Sequence, residues 1–457
     1  MGVHSIGSPS RLAGHRTDNA FDIGSLNTFA DPRAIALRSR VFPWGDPWAS
    51  GRRASSVHPD RLSSTAPVGS IPPGLRWYNP VMVRRVYAHN FRCFQNTEMD
   101  IADRRHVLLV GRNGSGKSSL LDIVQSFRLL AFGRNQADEF LPDRSVTALP
   151  SSAPQPHPQI RLEIDMDIPQ CGVASYSLSL EQPPAFRKMR VAEERLVVDG
   201  DNVLERNLAS VRFAGADGKR IEFSLDWHLI SVSVIGVPTD DHPIERFRRE
   251  LRRLVLLRPV PSTMVGEGGA QVAVPDPSCR AFGDWFRETM NTHPGAYEPF
   301  RTYLKEALPG FEAAANRSSG LGVWSLEYEF RSNSGGPYSI SFGDLSDGEK
   351  CLSVAALTCA LAEAAPPITV FWDEPDSFVA LPEIQRLIVA LRRAARNDGQ
   401  FIATSHDAEA IRAFTRENTL ILFRSSHSEP SRLRPANDLV APSDDLADAL
   451  ARGDDIA

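Results

Sequence analysis

The residue types best suited to chemistry first gather in the string GRNGSGKSSLLD, Gly111 to Asp122, directly after the apolar run HVLLV. Gly111, four residues, then Gly116, Lys117 and Ser118 match the phosphate-loop spacing, with a strand-like run before and a helix-like pattern after. Glycines at 111, 114 and 116 let the backbone turn so that its N–H groups converge on phosphate oxygens, with Asn113 and Ser119 completing the cradle. The following helix adds unpaired N–H groups and the positive end of its dipole. Lys117 can reach the β- and γ-phosphates, and the Ser118 hydroxyl can ligate Mg²⁺. The bland alternative is a Gly-rich turn with a solvated lysine, which leaves both flanks unexplained.

Three further strings could act on the same phosphates. ITVFWDEP places Asp373 and Glu374 at the end of a buried strand, where one carboxylate can support Mg²⁺ and the next can polarise an attacking water. On its own, an acidic strand end is more often simply solvated. LSDGEK, Leu345 to Lys350, offers Ser346 and the Gly348 backbone as anion ligands at a helix N-terminus. It reads equally as a capping box, with Glu349 three residues after Ser346. TSHD puts His406 at the end of the strand after the acidic one, within reach of a γ-phosphate or its water.

The elements that must position these groups can be read from periodicity. MVRRVYAHNF and QNTEMDI read as paired strands, HVLLV as a buried strand and SSLLDIVQSFRLLAF as a helix. QIRLEIDMDI, SYSLSLE and RIEFSLDWHLISVSVI read as strands of an inserted β-rich arm over 159–236. PIERFRRELRRLVLLRP reads as a helix with Phe247, Leu251, Leu254 and Val255 on one face and Arg246, Arg249 and Arg253 on another. DGEKCLSVAALTCALAEA and LPEIQRLIVALRRAAR read as helices; ITVFWDEP, QFIATSHD and TLILFRS as strands.

Composition narrows the class. The 457 residues allow two or three units, and 42% apolar residues allow a sizeable core. A net charge of −5 excludes a generic polyanion binder, so any nucleic-acid contact must be local. The Arg246, Arg249, Arg253 face is the candidate, against the commoner reading of a solvated helix face. Five scattered cysteines without CxxC pairing point away from zinc or disulfides and toward a reducing, cytoplasmic setting. No apolar run is long enough to span a bilayer, so a soluble chain without membrane insertion is expected. Residues 1–81 are rich in Ser, Pro, Gly and Arg, without Lys or Glu up to residue 80, and are expected to be disordered. A transit peptide, a regulatory tail and an over-extended start before Met82 compete there. The expected organisation is 1–81 extension, 82–170 first lobe with the phosphate loop, 171–335 inserted β-rich and helical region, 336–430 second lobe, and 431–457 acidic polar tail.

In their order, the phosphate loop, LSDGEK, FWDEPD and TSHD resemble the ABC-class ATPases, and more narrowly the SMC/RecF/OLD-related branch of AAA_21-like ATPases. VRRVYAHNFRCFQNTEMDI resembles that branch's opening strand pair. DEPDSFVALPEIQRLI resembles its acidic-strand extension, with Asp376 where Glu is commoner. The resemblance covers about 85–130 and 340–425. It implies an α/β P-loop NTPase fold of the ABC-ATPase type, with a mixed sheet core. It also implies ATP and Mg²⁺ as cofactors, with Lys117 and Ser118 on phosphate and metal, Asp373 on metal, Glu374 as catalytic base and His406 as switch residue. Ser346 and Gly348 would complete the site of a second protomer, so a homodimer would sandwich ATP head to tail. A Mg²⁺-sensing Gln is expected on a strand after the phosphate loop, with Gln159, Gln136 or Gln155 as candidates.

The leading reading is an ATP-driven dimeric switch in DNA metabolism, including repair, or in antiviral defence beside a separate effector protein. A transporter's ATP-hydrolysing subunit is the second reading, although there the signature lies much closer to the phosphate loop. A nucleotide-dependent scaffold is the third; Lys117 and Glu374 argue against it.

Overall fold

The computed structural model describes residues 82–141, 159–183, 188–215, 218–332, 335–365, 367–395, 399–440 and 445–452. The proposed extension 1–81, the candidate Gln155 and the last five residues lie outside them.

In chain order the elements are β1 (Val83–His89), β2 (Thr97–Asp100), β3 (His106–Val110), α1 (Lys117–Ala131), α2 (Ala137–Phe140), β4 (Gln159–Ile168), β5 (Gly172–Glu181), β6 (Arg190–Val198), β7 (Asp201–Asn207), β8 (Ser210–Ala214) and β9 (Arg220–Ser224). There follow α3 (Ser231–Val234), α4 (Pro243–Arg253), β10 (Val255–Leu257), β11 (Glu267–Gly268), α5 (Phe282–Thr292), α6 (Tyr297–Ala307), β12 (Phe311–Gly320), β13 (Val323–Arg331) and β14 (Pro337–Ser341). The rest are α7 (Asp347–Ala364), β15 (Thr369–Asp373), α8 (Leu381–Ala394), β16 (Gln400–Ser405), α9 (Ala408–Arg412), β17 (Thr419–Phe423), β18 (Arg432–Pro435), α10 (Ala436–Leu439) and α11 (Leu446–Arg452).

Three sheets organise these elements. The central six-stranded sheet runs β10-β15-β16-β3-β17-β18, parallel except for β18. Its strands are almost continuously apolar because both faces are covered. Leu108 and Val110 enter one core with α5 to α9, while Val107 and Leu109 enter the other with α1 and α4. An eight-stranded sheet, β2-β1-β4-β5-β6-β7-β8-β9, closes this second core. Its buried positions alternate along β4, from Ile160 to Ile168, as expected for a half-buried strand. The third sheet joins β11, β13, β12 and β14, with Leu326, Tyr328 and Phe330 facing the first core.

Gln400 fastens the two large sheets together. Its buried amide accepts from Val83 N at 2.9 Å and donates to Val83 O and Arg104 O, each at 3.0 Å.

Several expected elements take another form. The arm over 159–236 is not separate: β4 pairs with β1, so β4 to β9 extend the sheet begun by the opening strand pair. The expected 170/171 boundary falls in the turn between β4 and β5, which pair over ten residues. RIEFSLDWHLISVSVI is not one strand. It stops at Ser224, where Asp226 Oδ1 accepts from His228 N in a tight turn. The Glu194 carboxylate then accepts from Ser231 N and Val232 N, fixing the α3 turn.

The helix expected over 245–258 ends at Arg253, and Val255–Leu257 becomes β10 beside β15. A tertiary strand partner outweighs the continuing helical pattern there. The tail is also more than acidic and polar. β18 pairs with β17, and α11 puts Leu446, Ala447 and Ala449 into the first core.

Candidate functional site

Parallel pairing sends the carboxyl ends of β3, β10, β15, β16 and β17 to one edge of the central sheet. Loops at such an edge are where open α/β sheets hold ligands. Gly111 leaves β3 there, Asp373 ends β15 and His406 follows β16.

The phosphate loop is fixed from three sides. A Cβ at Gly111 would lie 2.1 Å from Leu422 O, and one at Gly116, where φ is +110°, would lie 2.6 Å from Cys93 Sγ. Neither position can carry a side chain without moving β17 or the loop after β1. Ser431 Oγ donates to Ser115 O at 2.6 Å and Ser431 N donates to Cys93 O at 2.8 Å, tying the segment after β17 to both. Gly116 caps α1 and Lys117 is its first residue, so the free N–H groups of the first turn face the loop.

Lys117 is buried, with Nζ donating to Gly111 O at 2.8 Å. Burial lowers its pKa, while Glu374, Asp373 and Asp376 oppose that shift. A cleft of ≈ 400 Å³ brings Asn113, Gly114, Gly116, Lys117, Ser118 and Ser119 together with Glu374. Gly111 lines the adjoining groove with Asn113 and His406.

The acids are held by β16. Thr404 lies opposite Asp373 in the parallel register. Its hydroxyl donates to Asp373 Oδ1 at 2.6 Å and accepts from Glu374 N at 3.0 Å. Glu374 takes a left-handed backbone, φ +54°, that turns its side chain off the strand axis. Its Oε1 lies 3.3 Å from His406 Nδ1, and its Oε2 accepts from Ser377 Oγ at 3.4 Å. Burial raises the pKa of the neighbouring Asp376 carboxyl, against a hydrogen bond from Ser405.

Among the described residues, no group of three or more His, Cys, Asp or Glu could hold a metal ion. Ser118 and Asp373 do line one small cavity together. Such a sparse donor set fits Mg²⁺, which keeps waters and takes phosphate oxygens beside one or two carboxylates.

Ser346 and Gly348 stand apart from this cleft. Ser346 caps α7 in a full capping box: Glu349 N donates to Ser346 Oγ at 3.4 Å and Ser346 N donates to Glu349 Oε2 at 2.8 Å. Gly348 has Phe378 O packed over it, where a Cβ would lie 2.9 Å away. Both lie at the start of α7, Ser346 exposed and Gly348 partly buried, and neither lines the cavities around Lys117 and Asp373.

Two sets of sequence candidates are placed elsewhere. Gln136 caps α2, and Gln159 bonds Glu181 Oε2 at 3.2 Å, so neither lines the cleft. The candidate arginines of α4 have partners within the chain. Arg246 bonds Pro169 O and Asp241, Arg253 bonds Glu250 and Pro367 O, and Arg249 faces Glu250. Arg246 and Arg253 are thus taken up by backbone and acidic partners, while Arg249 stays about half exposed, 3.6 Å from Glu250.

Four cleft residues were missed in the sequence. Arg92, from the loop after β1, donates to Ser119 Oγ at 3.2 Å and to Asp122 Oδ2 at 2.6 Å. Arg424 and His427, hydrogen-bonded to each other, rim the cleft from the segment after β17. Arg258, after β10, reaches Asp373 Oδ2 at 2.7 Å. The signal for Arg258 was an apolar triplet followed by Arg-Pro, a strand end hidden inside a helical pattern.

Comparison with known proteins follows the same lines. A family model described as "AAA domain, putative AbiEii toxin, Type IV TA system" matches residues 107–412. No curated protein matches the chain. Among solved structures, an SMC head bound to the C-winged helix domain of ScpA aligns at TM-score 0.50 and 12% identity, covering 77% of this chain and 96% of that one. The SMC head domain from Thermotoga maritima aligns at TM-score 0.39 and 14% identity, covering 77% and 98%. A Pyrococcus furiosus Smc head with an extended coiled coil, bound to the C-terminal domain of ScpA, aligns at 0.49 and 11%, covering 78% and 96%. The first of these supports an SMC-head-like P-loop fold.

Proposed function

The chain belongs to this AAA-domain family, described as a putative AbiEii toxin of type IV toxin–antitoxin systems, and from that premise we propose a Mg²⁺-dependent ATPase that works as a head-to-tail homodimer. The observation that carries the reading is the meeting of the phosphate loop, Asp373, Glu374 and His406 at one sheet edge.

In this reading the loop amides and Lys117 hold the β- and γ-phosphates. Ser118 and Asp373 hold Mg²⁺, which would neutralise charge on the phosphate oxygens when bound. Glu374 accepts the proton of a water in line with the γ-phosphate, and His406 holds its carboxylate in place. Ser346, exposed, and Gly348, partly buried, lie outside the lining of their own cleft and complete the γ-phosphate site of the partner copy. Closure of the pair would be the signal passed to a separate effector, in defence or in nucleic-acid metabolism. The toxin–antitoxin description of the family favours the defence setting.

Two variants test the reading. Lys117→Ala should lose retention of ATP with magnesium. Glu374→Gln should retain ATP, lose turnover and accumulate a dimer in light scattering. Wild-type protein that neither hydrolyses nor retains ATP would refute the proposal.

A further inference from the structure

Arg258 stands where a cation is needed. β10 pairs in parallel with β15, Leu257 opposite Trp372, so the residue after β10 emerges beside Asp373. Arg258 Nε donates to Asp373 Oδ2 at 2.7 Å, and its Nη2 lies 3.3 Å from Asp122 Oδ1 and 3.4 Å from Ser118 O. One guanidinium thus spans the acidic strand end and the first turn of α1. Asp373 is one of the two residues that the proposed function assigns to Mg²⁺, and the other, Ser118, is met by Arg258 at its backbone carbonyl rather than at the hydroxyl that would take the metal.

The contacts are also asymmetric in strength. Asp373 is nearly buried and keeps Thr404 on its other oxygen, so Arg258 occupies its remaining accessible lone pairs. Asp122 is shared with Arg92, at 2.6 Å. Arg258 is itself nearly half exposed, so solvent reaches its guanidinium, and Pro259 restricts the backbone before it. Its fork reaches two carboxylates at once, which a lysine's single ammonium does poorly.

We propose that Arg258 is an exchangeable counter-ion for the metal site. In the nucleotide-free protein it neutralises Asp373 and Asp122, and it yields Asp373 when a divalent cation arrives. The inference rests on the proposed function for the identity of the site. It adds a positioning residue that couples β10, and the α4 segment before it, to the metal state. Because guanidinium and metal compete for Asp373, the protein would bind divalent cation poorly without nucleotide phosphates to help. Metal loading would then be tied to nucleotide loading.

Mn²⁺ binding followed by electron paramagnetic resonance, without nucleotide, tests this. Removing a unit positive charge a few ångströms from a divalent cation should tighten binding at least about tenfold. Arg258→Ala should show that gain, Arg258→Lys a smaller one, and Arg258→Ala with Asp373→Asn none. Unchanged Mn²⁺ affinity in a folded Arg258→Ala protein would overturn the proposal. So would a gain that survives Asp373→Asn, because the cation would then lie elsewhere. Failure of the ATPase reading shows separately, as a wild-type protein that holds no ATP.

Discussion

Thr404→Val tests whether β16 holds the acids in their working geometry. Thr404 is fully buried, and its hydroxyl serves Asp373 Oδ1 and Glu374 N together. Valine keeps the shape and removes both bonds. A hydrogen bond to a charged group contributes about 1.5–3 kcal/mol, and a neutral one about 1 kcal/mol. Asp373 retains Arg258 at 2.7 Å, which offsets part of the first loss. Glu374 has no such substitute: its N–H lies at the base of a left-handed turn, and losing its acceptor frees the turn to relax. A net loss of about 2 kcal/mol, expressed in the position of Glu374, slows turnover roughly 30-fold. ATP affinity should change less than about threefold, because the variant touches no group of the phosphate cradle. Steady-state ATPase assays with a fluorescent-ATP titration separate the two, and Thr404→Ser should restore most of the rate. Turnover of Thr404→Val within about threefold of wild type, with an unchanged melt, refutes the argument.

Two further perturbations follow from the packing. Gln400→Ala removes two buried hydrogen bonds to Val83 that join the central and eight-stranded sheets and a third, part-buried, to Arg104 O in the loop before β3; it should cost about 3 kcal/mol in chemical denaturation, with Asn unable to rescue it because of reach. Gly348→Ala would press its Cβ to 2.9 Å from Phe378 O and push the loop after Glu374 outward. ATP retention should survive there, while the trapped dimer of the Glu374→Gln background should weaken in light scattering; an equally stable dimer would remove α7 from the interface.

Local pattern carried the strands that end in chemistry. HVLLV, ITVFWD and QFIATS are short apolar runs suited to a doubly covered parallel sheet, and each hands over to a loop with candidate site residues. The capping box at Ser346 and the full extent of α7 were equally plain, because they depend on residues three or four apart. The Arg-rich helix shows the converse: its charge is visible in one dimension, whereas the partners Pro169 and Pro367 that take up Arg246 and Arg253 are not.

The amino-acid order alone therefore determined the phosphate cradle, the acidic pair and the class of sheet that carries them. Only the tertiary structure decided which residues complete the cleft. Arg258, Thr404 and Arg92 come from three separate segments, and each gains its role from a neighbour far away in sequence. Strand register supplies that neighbour: β10 beside β15 and β15 beside β16 put Arg258 and Thr404 on the two sides of Asp373. Register is set by burying two cores at once, a condition on the whole chain that no single window of residues contains.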